Sequence, residues 1–533
     1  MRILLLSMPD SFEHTSAITM RMPNGALGSL AGNVDAHHEV ACADLILAQR
    51  HAASTVERLL SSFQPDVVGL SIMTFQRPTA ERLAALVREV RPAARIVVGG
   101  YDPSLASGVY ETAPWHVDAI VRGEGDVTFR ELIRCYESGT APTGVAGLTY
   151  RGPSGFTRNP GRPVSSLTGD EIRPPRRSAR VLSGYTFIGR QVDVVETSRG
   201  CTYDCSFCSI IEMRGRNFHT WPVERVIADI IDARRHGARA IFLVDDNITL
   251  NVRRFEAICR AIVEAGLEKT DYLVQAMTSS IAAGGDALAA LMKRAGFRYV
   301  FLGIENVLEE DLQQLKASAK NARREKGRRT GNAAVAAIEA LHRHGLYVIG
   351  GLIVGNPEDT REAIETNLAF ARRFVDWPYI QHPTPYPGTP MTRDFADRQL
   401  ITSDRPEEYD GTTAVVRNAH LAAEEIEFLR WRAERWMKLR HFWPVLAHDP
   451  LFTLRHGAAM LRHTFRGSSV RSILGLESDR QVFARYRQLR RAEREHIAPQ
   501  VAASRDPATD PVRHPDAGLH SRAGVRSVQA ERF

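Results

Sequence analysis

The chain has 533 residues, of which 44% are apolar and 25% charged, with a formal net charge of +7. This is the composition of a globular protein of two to four domains. The positive charge is spread along the chain without an aromatic–basic motif, so we expect no nucleic-acid binding. No apolar run reaches the length of a membrane span. The first residues are too short for a signal-peptide core, which predicts a cytoplasmic protein.

Buried strands alternate with helical patterns in residues 1–140. The strands are predicted at residues 3–6, 39–45, 66–73, 96–98 and 117–121. Continuous apolar strands between helices predict an α/β fold with a doubly wound, Rossmann-like parallel sheet.

Ligands bind such sheets at the carboxyl ends of the strands. Glycine there lets the backbone approach a large flat ligand closely. The candidate binding residues are Ser71, Met73, Thr74, Gly99, Gly100, Tyr101, Gly123, Glu124 and Gly125.

Residues 141–190 have the composition of a connector. A Pro-Ser-Gly turn between short β-patterns predicts a hairpin at about 147–158, followed by a stretch rich in Pro, Arg and Ser. We expect this segment to cross both domains and to carry no chemistry.

Three cysteines, Cys201, Cys205 and Cys208, follow an apolar β-rich run that ends near residue 197. Three thiolates at this spacing predict one metal centre. A zinc site normally needs a fourth protein ligand, for which His219 is the nearby candidate. Three thiolates on a [4Fe–4S] cluster would leave one iron open. A zinc site and a redox disulfide remain as alternatives. The other three cysteines are scattered, and no disulfide framework is expected.

Six strand–helix units in residues 191–400 predict a partial (β/α)6 barrel, whose chemistry lies at the carboxyl ends of its strands. The candidate catalytic residues at those ends are Asp245, Asp246, Glu305 and Tyr386. Helix capping is the alternative for Asp246 and for the neighbouring Asn247. A rigid proline turn is the alternative for Tyr386. The basic insert at residues 316–329 is expected to be a solvated loop, or else to meet an anionic substrate.

The pattern of residues 401–498 is helical, and residues 499–533 are expected to be disordered. Phe428, Trp431 and Trp436 form an apolar stripe on the first predicted helix. We expect these helices to cap the mouth of the barrel. The alternative is a greasy, basic surface for a lipid substrate or a peripheral membrane contact.

The segment from Arg199 to Cys208 resembles the signature of the radical S-adenosylmethionine (SAM) superfamily, including the aromatic Phe207 before the last cysteine. The resemblance implies a [4Fe–4S] cluster whose open iron is chelated by SAM. Residues 245–247 occupy the position of a Gly-Gly-Glu-like motif near the SAM amino group, so Asn247 is a cofactor-binding candidate. Glu305 is expected to accept hydrogen bonds from the ribose or from substrate.

A second superfamily motif is similar to residues 351–358, with the pattern G-x-I-x-G-x-x-E. Its strand flanks the adenine in that family, which makes Gly351 and Gly355 candidates for cofactor binding.

Residues 1–140 resemble the cobalamin (B12)-binding domain that precedes the catalytic domain in class B radical SAM methyltransferases. The turns Gly99-Gly100 and Gly123 to Asp126 carry this resemblance. Asp35-Ala-His37 begins like the D-x-H-x-x-G motif whose histidine ligates cobalt, but Val40 replaces the glycine and the segment leads into the second strand. The resemblance therefore implies cobalamin without a protein histidine ligand.

The function implied is methylation of an unactivated carbon of a small molecule, lipid or natural product, through a 5′-deoxyadenosyl radical and methylcobalamin. An external flavodoxin- or ferredoxin-type electron donor is the expected partner. One alternative is a radical SAM oxidoreductase or cyclase without methyl transfer. A non-catalytic cobalamin- or cluster-binding sensor is the alternative from another class.

Overall fold

Two sheets with helices on their faces form most of the computed structural model, which describes residues 1–12, 18–112, 115–167, 171–440 and 442–496. The first sheet has seven strands. In spatial order they are Glu39–Asp44, Arg2–Ser7, Val67–Ser71, Arg95–Gly99, Ala119–Val121, Leu148–Gly152 and Gly155–Arg158. The first five are parallel and the last two antiparallel.

The parallel strands form where the sequence has short continuous apolar runs, because both faces of the sheet are covered. Ile3 to Leu6 are at most 1% exposed. The main helices of this half are Gly25–Asn33, Ala52–Phe63, Arg77–Val90 and Gly125–Ser138. The Asn24 side chain accepts from the Ala26 N–H and caps the first of them. The doubly wound sheet predicted from the sequence is confirmed.

The second sheet has eight strands, of which six are parallel and form a partial barrel. In order they are Arg190–Val195, Ala240–Leu243, Asp271–Met277, Phe297–Glu305, Tyr347–Ile353 and Trp377–Gln381. The helices between them are Val223–Arg235, Val252–Glu264, Thr278–Arg294, Ala334–Arg343 and Arg361–Phe374. The predicted (β/α)6 half-barrel is confirmed.

The connector ties the two sheets together. Its hairpin, Leu148–Gly152 with Gly155–Arg158, continues the first sheet. Further on, Thr186–Phe187 pairs antiparallel with both Arg190–Val195 and Met20–Arg21, so it adds a short edge to the barrel sheet. The connector therefore spans both domains, as expected.

The basic insert differs from the expected loop. It forms a hairpin of Ala322–Glu325 and Arg328–Asn332 whose side chains from 323 to 331 are exposed. Just before the hairpin, however, Lys320 points into the barrel.

The C-terminal helices are Ala423–Arg440, Phe442–His448, Pro450–Thr464, Val470–Ile473 and Asp479–His496. They do not simply cap the mouth of the barrel. Asp449 accepts from the Tyr299 hydroxyl and, at 2.7 Å, from Arg190, and both partners lie near the amino ends of barrel strands. The predicted stripe is also only partly correct: Phe428 and Trp431 are buried, whereas Trp436 is 62% exposed.

Within the described ranges, no helix is long and apolar enough to cross a bilayer. The predicted disordered tail, 499–533, lies outside the described residues.

A buried arginine of the connector generates the first prediction. Arg177 is 4% exposed, and its guanidinium donates to Asp193, Asp229 and Asp232 at 2.5–2.9 Å. Arg177→Met leaves Asp229 and Asp232 without this cation, whereas Asp193 keeps its two hydrogen bonds from Arg180. We expect the free energy of unfolding to fall by about 3–5 kcal/mol, measured by urea denaturation. The exposed Arg328→Met control should change it by less than about 0.5 kcal/mol, and equal losses would contradict the prediction.

Candidate active site

The cysteine loop follows the first barrel strand and is fixed by its own turn. Gly200 has φ +87°, a conformation that favours glycine, and a Cβ there would lie 2.5 Å from the Asn217 carbonyl oxygen. The Ser206 N–H donates to the Leu315 carbonyl at 3.0 Å, and the Ser206 carbonyl accepts from Met391 N–H at 2.9 Å. The loop is therefore held from both sides before any metal binds.

All three thiols line a cavity of about 530 Å³ inside the barrel, called the barrel cavity below. Burial raises the pKa of Cys205 to about 11 and that of Cys208 to about 12. Thiols in such surroundings become thiolates only when a cation joins them, which is what iron supplies.

The spacing of the sulfur atoms distinguishes a cluster from a single metal ion. The ligands of one zinc ion, each at about 2.3 Å, would lie about 4 Å apart. Among the described residues, the three sulfurs are not a set within 4.8 Å of one another, and His219 does not line the cavity. The donor set fits a larger iron–sulfur cluster.

Asp246 and Asn247 lie beside this loop. Asp246 Oδ2 accepts from the Gly200 N–H and from Arg214, both at 2.7 Å. Asn247 Nδ2 lies 3.5 Å from Cys201 Sγ and 3.0 Å from Met277 Sδ. Both residues line the barrel cavity, so they can contact a molecule bound to the cluster.

The structure corrects the prediction for Asp245. Its oxygens accept from the Thr197 N–H at 2.6 Å and from the Thr197 and Ser198 hydroxyls at 2.5 Å. It is 1% exposed and is not among the described residues that line the barrel cavity. Asp245 therefore positions the start of the cysteine loop from outside the barrel cavity.

Glu305 points into the barrel cavity from a strained position. It has φ +60°, at a bulge in the pairing with the next strand, which costs about 1–3 kcal/mol. Its carboxylate pairs with the Lys320 ammonium. Lys320 Nζ is 5.9 Å from the centre of the Phe207 ring, and both residues line the cavity. The strained backbone at Glu305 places its carboxylate, with the Lys320 ammonium, next to the cysteines.

Sequence reasoning missed Lys320 because the run of arginines that follows it is typical of a solvated face. The sequence held one indication that this segment is partly buried. Small or apolar residues precede the arginines, and three of them, Leu315, Ala317 and Ala322, are buried.

Other barrel candidates divide into two groups. Gly351 lines the cavity, and a Cβ there would lie 3.0 Å from the Phe301 ring. Gly355 has φ +92° and faces Ile426, where a Cβ would lie at 2.4 Å. Tyr386 is not among the described lining residues, and its carbonyl accepts from the Thr389 hydroxyl, so it shapes the turn. The cofactor role of Gly355 and the catalytic role of Tyr386 are not supported by these positions.

A second cavity of about 720 Å³, the interdomain cavity, lies between the first sheet and the barrel. Eight of the nine candidates at the strand ends line it: Ser71, Met73, Gly99, Gly100, Tyr101, Gly123, Glu124 and Gly125. Thr74 is the exception, because its buried hydroxyl donates to Asp102 at 2.8 Å. Among the described lining residues, Asp246 is shared by both cavities.

Two buried polar atoms in the interdomain cavity, Glu124 Oε1 and Arg214 Nε, form an ion pair at 3.5 Å but make no hydrogen bond. Buried polar groups are normally hydrogen-bonded as well. The amide side chains of a corrin offer both donors and acceptors, so the residues present fit cobalamin.

Charged residues join the two domains next to this cavity. Arg199, which precedes the cysteine loop, donates to Asp126 of the first domain at 2.7 Å. Sequence reasoning missed this bridge because the two residues lie 73 positions apart.

His37 and His38 lie away from the interdomain cavity. His37 Nε2 is 2.8 Å from Glu137 Oε1, and neither histidine is among the described residues that line the cavity. Both lie in the turn that precedes the strand Glu39–Asp44.

Comparison with known proteins supports the assignment of both domains. The family model of the radical SAM superfamily matches residues 195–371, and that of the B12 binding domain matches residues 18–133. The chain belongs to the radical SAM enzymes that carry a B12-binding domain. The predicted cofactors, a [4Fe–4S] cluster, SAM and cobalamin, are those of the two domains.

Two relatives of this radical SAM enzyme and one solved structure are informative. The uncharacterized methyltransferase PH0819 of Pyrococcus horikoshii is 28% identical over 88% of this chain and 98% of its own. The hopanoid C-3 methylase of Methylococcus capsulatus is 29% identical over 69% of this chain and 67% of its own. The structure of the radical SAM methyltransferase TsrM from Kitasatospora setae, with cobalamin and a [4Fe–4S] cluster bound, has a TM-score of 0.60 at 19% identity and covers 79% of this chain and 83% of its own. That likeness confirms the fold.

A carboxyl pair near the cysteine loop predicts a pH dependence. Burial and the neighbouring Asp359 raise the pKa of Asp311 to about 8, against about 4 when unfolded. Between about pH 4 and 8 the folded protein therefore binds more protons than the unfolded chain. The stabilisation from this protonated carboxyl is complete below about pH 4 and is lost as the pH rises toward 8.

Asp311→Asn removes this titration. We expect its free energy of unfolding to fall less than that of the wild type between pH 6 and 8, in urea titrations at a series of pH values. Glu310→Gln, at the exposed neighbouring position, should keep the wild-type slope. Parallel slopes for Asp311→Asn and the wild type would refute the prediction.

Proposed function

We propose that this enzyme methylates an unactivated carbon of an apolar small-molecule or lipid substrate. The observation that carries the proposal is that Asp246 lines both cavities. One cavity holds the cysteine loop and the other is formed by the B12-binding domain, so a substrate between them reaches both cofactors.

The cluster held by Cys201, Cys205 and Cys208, together with SAM, would supply hydrogen-atom abstraction when bound, and cobalamin in the interdomain cavity would supply the methyl group. An unactivated carbon is not nucleophilic, so direct methylation by SAM cannot reach it. The protein has to bind, orient and shield these groups.

Charged residues of the barrel cavity orient SAM in this proposal. The Glu305 carboxylate accepts from hydroxyl or ammonium groups, and the Lys320 ammonium donates to a carboxylate. The Asn247 amide lies within reach of a group bound next to Cys201. These side chains fix the two charged ends of an amino-acid cofactor relative to the cluster.

The rest of the barrel cavity is lined by apolar and aromatic side chains. These side chains include Phe187, Phe242, Leu273, Phe301, Trp377 and Phe452. An apolar lining excludes water, which protects a reactive intermediate from side reactions. It also favours an apolar substrate.

An external electron donor of the flavodoxin or ferredoxin type belongs to the proposal. Outside the cysteine loop, the cysteines Cys42, Cys135 and Cys259 are scattered, so a second cluster has no cysteine set in this chain.

All six cysteines are free, which fits a reducing compartment such as the cytoplasm.

Two alternative functions can be distinguished from the proposed methyl transfer. A radical SAM oxidoreductase or cyclase would use the same cavities, but the two relatives described above are named as methylating enzymes. A non-catalytic sensor predicts no SAM cleavage by the reduced protein. The charged side chains beside the cysteines favour a catalyst over a sensor.

Methyl-deuterated SAM separates these functions. The cluster- and cobalamin-loaded enzyme is incubated with reductant and fractions of a host lipid and small-molecule extract, and products are analysed by mass spectrometry. We expect a product heavier by the labelled methyl group together with 5′-deoxyadenosine. Steady 5′-deoxyadenosine formation with no labelled product in any fraction would support the cyclase or oxidoreductase, and no SAM cleavage would support the sensor.

Lys320→Met tests the proposed orientation of SAM. It leaves Glu305 without its cation and removes the donor for the SAM carboxylate. We expect KM for SAM to rise at least about tenfold, since a charge-assisted hydrogen bond contributes about 1.5–3 kcal/mol, while iron content is unchanged. Lys326→Met, on the exposed hairpin, is the matched control. An unchanged KM would remove Lys320 from the site.

A further inference from the structure

Exposed large apolar side chains are concentrated at one end of the described chain. All of them lie between residues 436 and 489: Trp436, Trp443, Leu451, Leu454, Leu461, Val470, Leu474, Leu476 and Leu489. Their exposure runs from 39% to 83%. Exposed apolar side chains that adjoin one another mark an interaction site in a folded protein.

The helix Pro450–Thr464 shows how this surface is arranged. Leu451, Leu454 and Leu461 are 83%, 76% and 39% exposed. They are separated by three and seven residues, so they share one face of the helix. The neighbouring helix, Phe442–His448, adds Trp443, which is 70% exposed.

The charge along this part of the sequence is almost entirely positive. Between Arg440 and Arg471 the sequence contains a single acidic residue, Asp449, which is 4% exposed and paired with Arg190. Arg440, Arg455, Arg462 and Arg471 are exposed. An amphipathic helix with leucine and tryptophan on one face and arginines beside it fits the interface of an anionic bilayer.

The opposite face of the same two helices reaches the barrel cavity. Val445 and Phe452 are 8% and 7% exposed, and both line that cavity. A layer only one helix thick therefore separates the exposed leucines from the apolar interior of the barrel.

We propose that helices Phe442–His448 and Pro450–Thr464 dock the enzyme on an anionic lipid surface and bring the barrel cavity next to a bilayer-resident substrate. The substrate class rests on the proposed function, whereas the docking does not. The occupant of the surface is a bilayer: its anionic headgroups complement the arginines, and its acyl chains cover the leucines and Trp443.

Vesicle sedimentation tests the docking. The cluster-loaded full-length protein is mixed with vesicles of phosphatidylcholine alone or with 30% phosphatidylglycerol, at about 0.1 M salt. We expect binding to the anionic vesicles at least tenfold stronger than to the neutral ones, and weaker binding as salt rises. Leu451→Gln/Leu454→Gln should reduce the partition coefficient at least tenfold.

Two charge variants complete the test. Arg455→Gln/Arg462→Gln should weaken binding to the anionic vesicles and flatten its salt dependence. Arg239→Gln/Arg328→Gln, which removes two exposed arginines from elsewhere, is the matched control and should bind like the wild type. Equal loss in both pairs would overturn the proposal, because net charge rather than this surface would then explain binding.

Two further outcomes decide against the docking. Failure of the wild type to sediment with either vesicle overturns it. So does a dimer in light scattering that becomes a monomer in Leu451→Gln/Leu454→Gln, because a second copy of the chain would then cover the face. Vesicle binding without labelled methyl transfer supports the docking and contradicts only the proposed function.

Discussion

The arrangement depends on one carboxylate, that of Asp246, at the point where the two cavities meet. It accepts from the Gly200 N–H at the turn that leads into the cysteines and from Arg214 at the same 2.7 Å. The backbone of the cysteine loop and the wall of the interdomain cavity are thus fixed by the same group. A shift of Asp246 would move both sites together.

The surrounding charges explain why the two domains keep this alignment. Arg199 pairs with Glu124 and Asp126 of the first domain. Arg214 pairs with Glu124 of the first domain and with Asp246 of the barrel. Such a buried network adds little net stability, but breaking one member leaves an uncompensated charge. It therefore selects one relative position of the domains, which two cofactors acting on one substrate require.

The sequence predicted the fold well because its strands are continuous apolar runs and its helices are amphipathic, and both signals are local. The cysteine loop was equally local, since three ligands within eight residues need no tertiary information. Asp245 and Asp246 show the limit. They are adjacent at a strand end, yet one is buried under the loop and the other lines both cavities, and composition does not tell which. Lys320 and Arg214 were missed because their partners Glu305 and Asp246 are distant in sequence and only the fold brings them together.

We expect this chain to hold the cluster and cobalamin on two sides of Asp246. Electron paramagnetic resonance of the protein loaded with cob(II)alamin and the cluster measures how close the two groups lie. We predict that reducing the cluster broadens the cob(II)alamin signal, because two nearby unpaired spins interact, and that Cys201→Ala/Cys205→Ala/Cys208→Ala loses both the iron and the broadening. A cob(II)alamin signal that is unchanged by reduction of a fully loaded cluster would contradict the account.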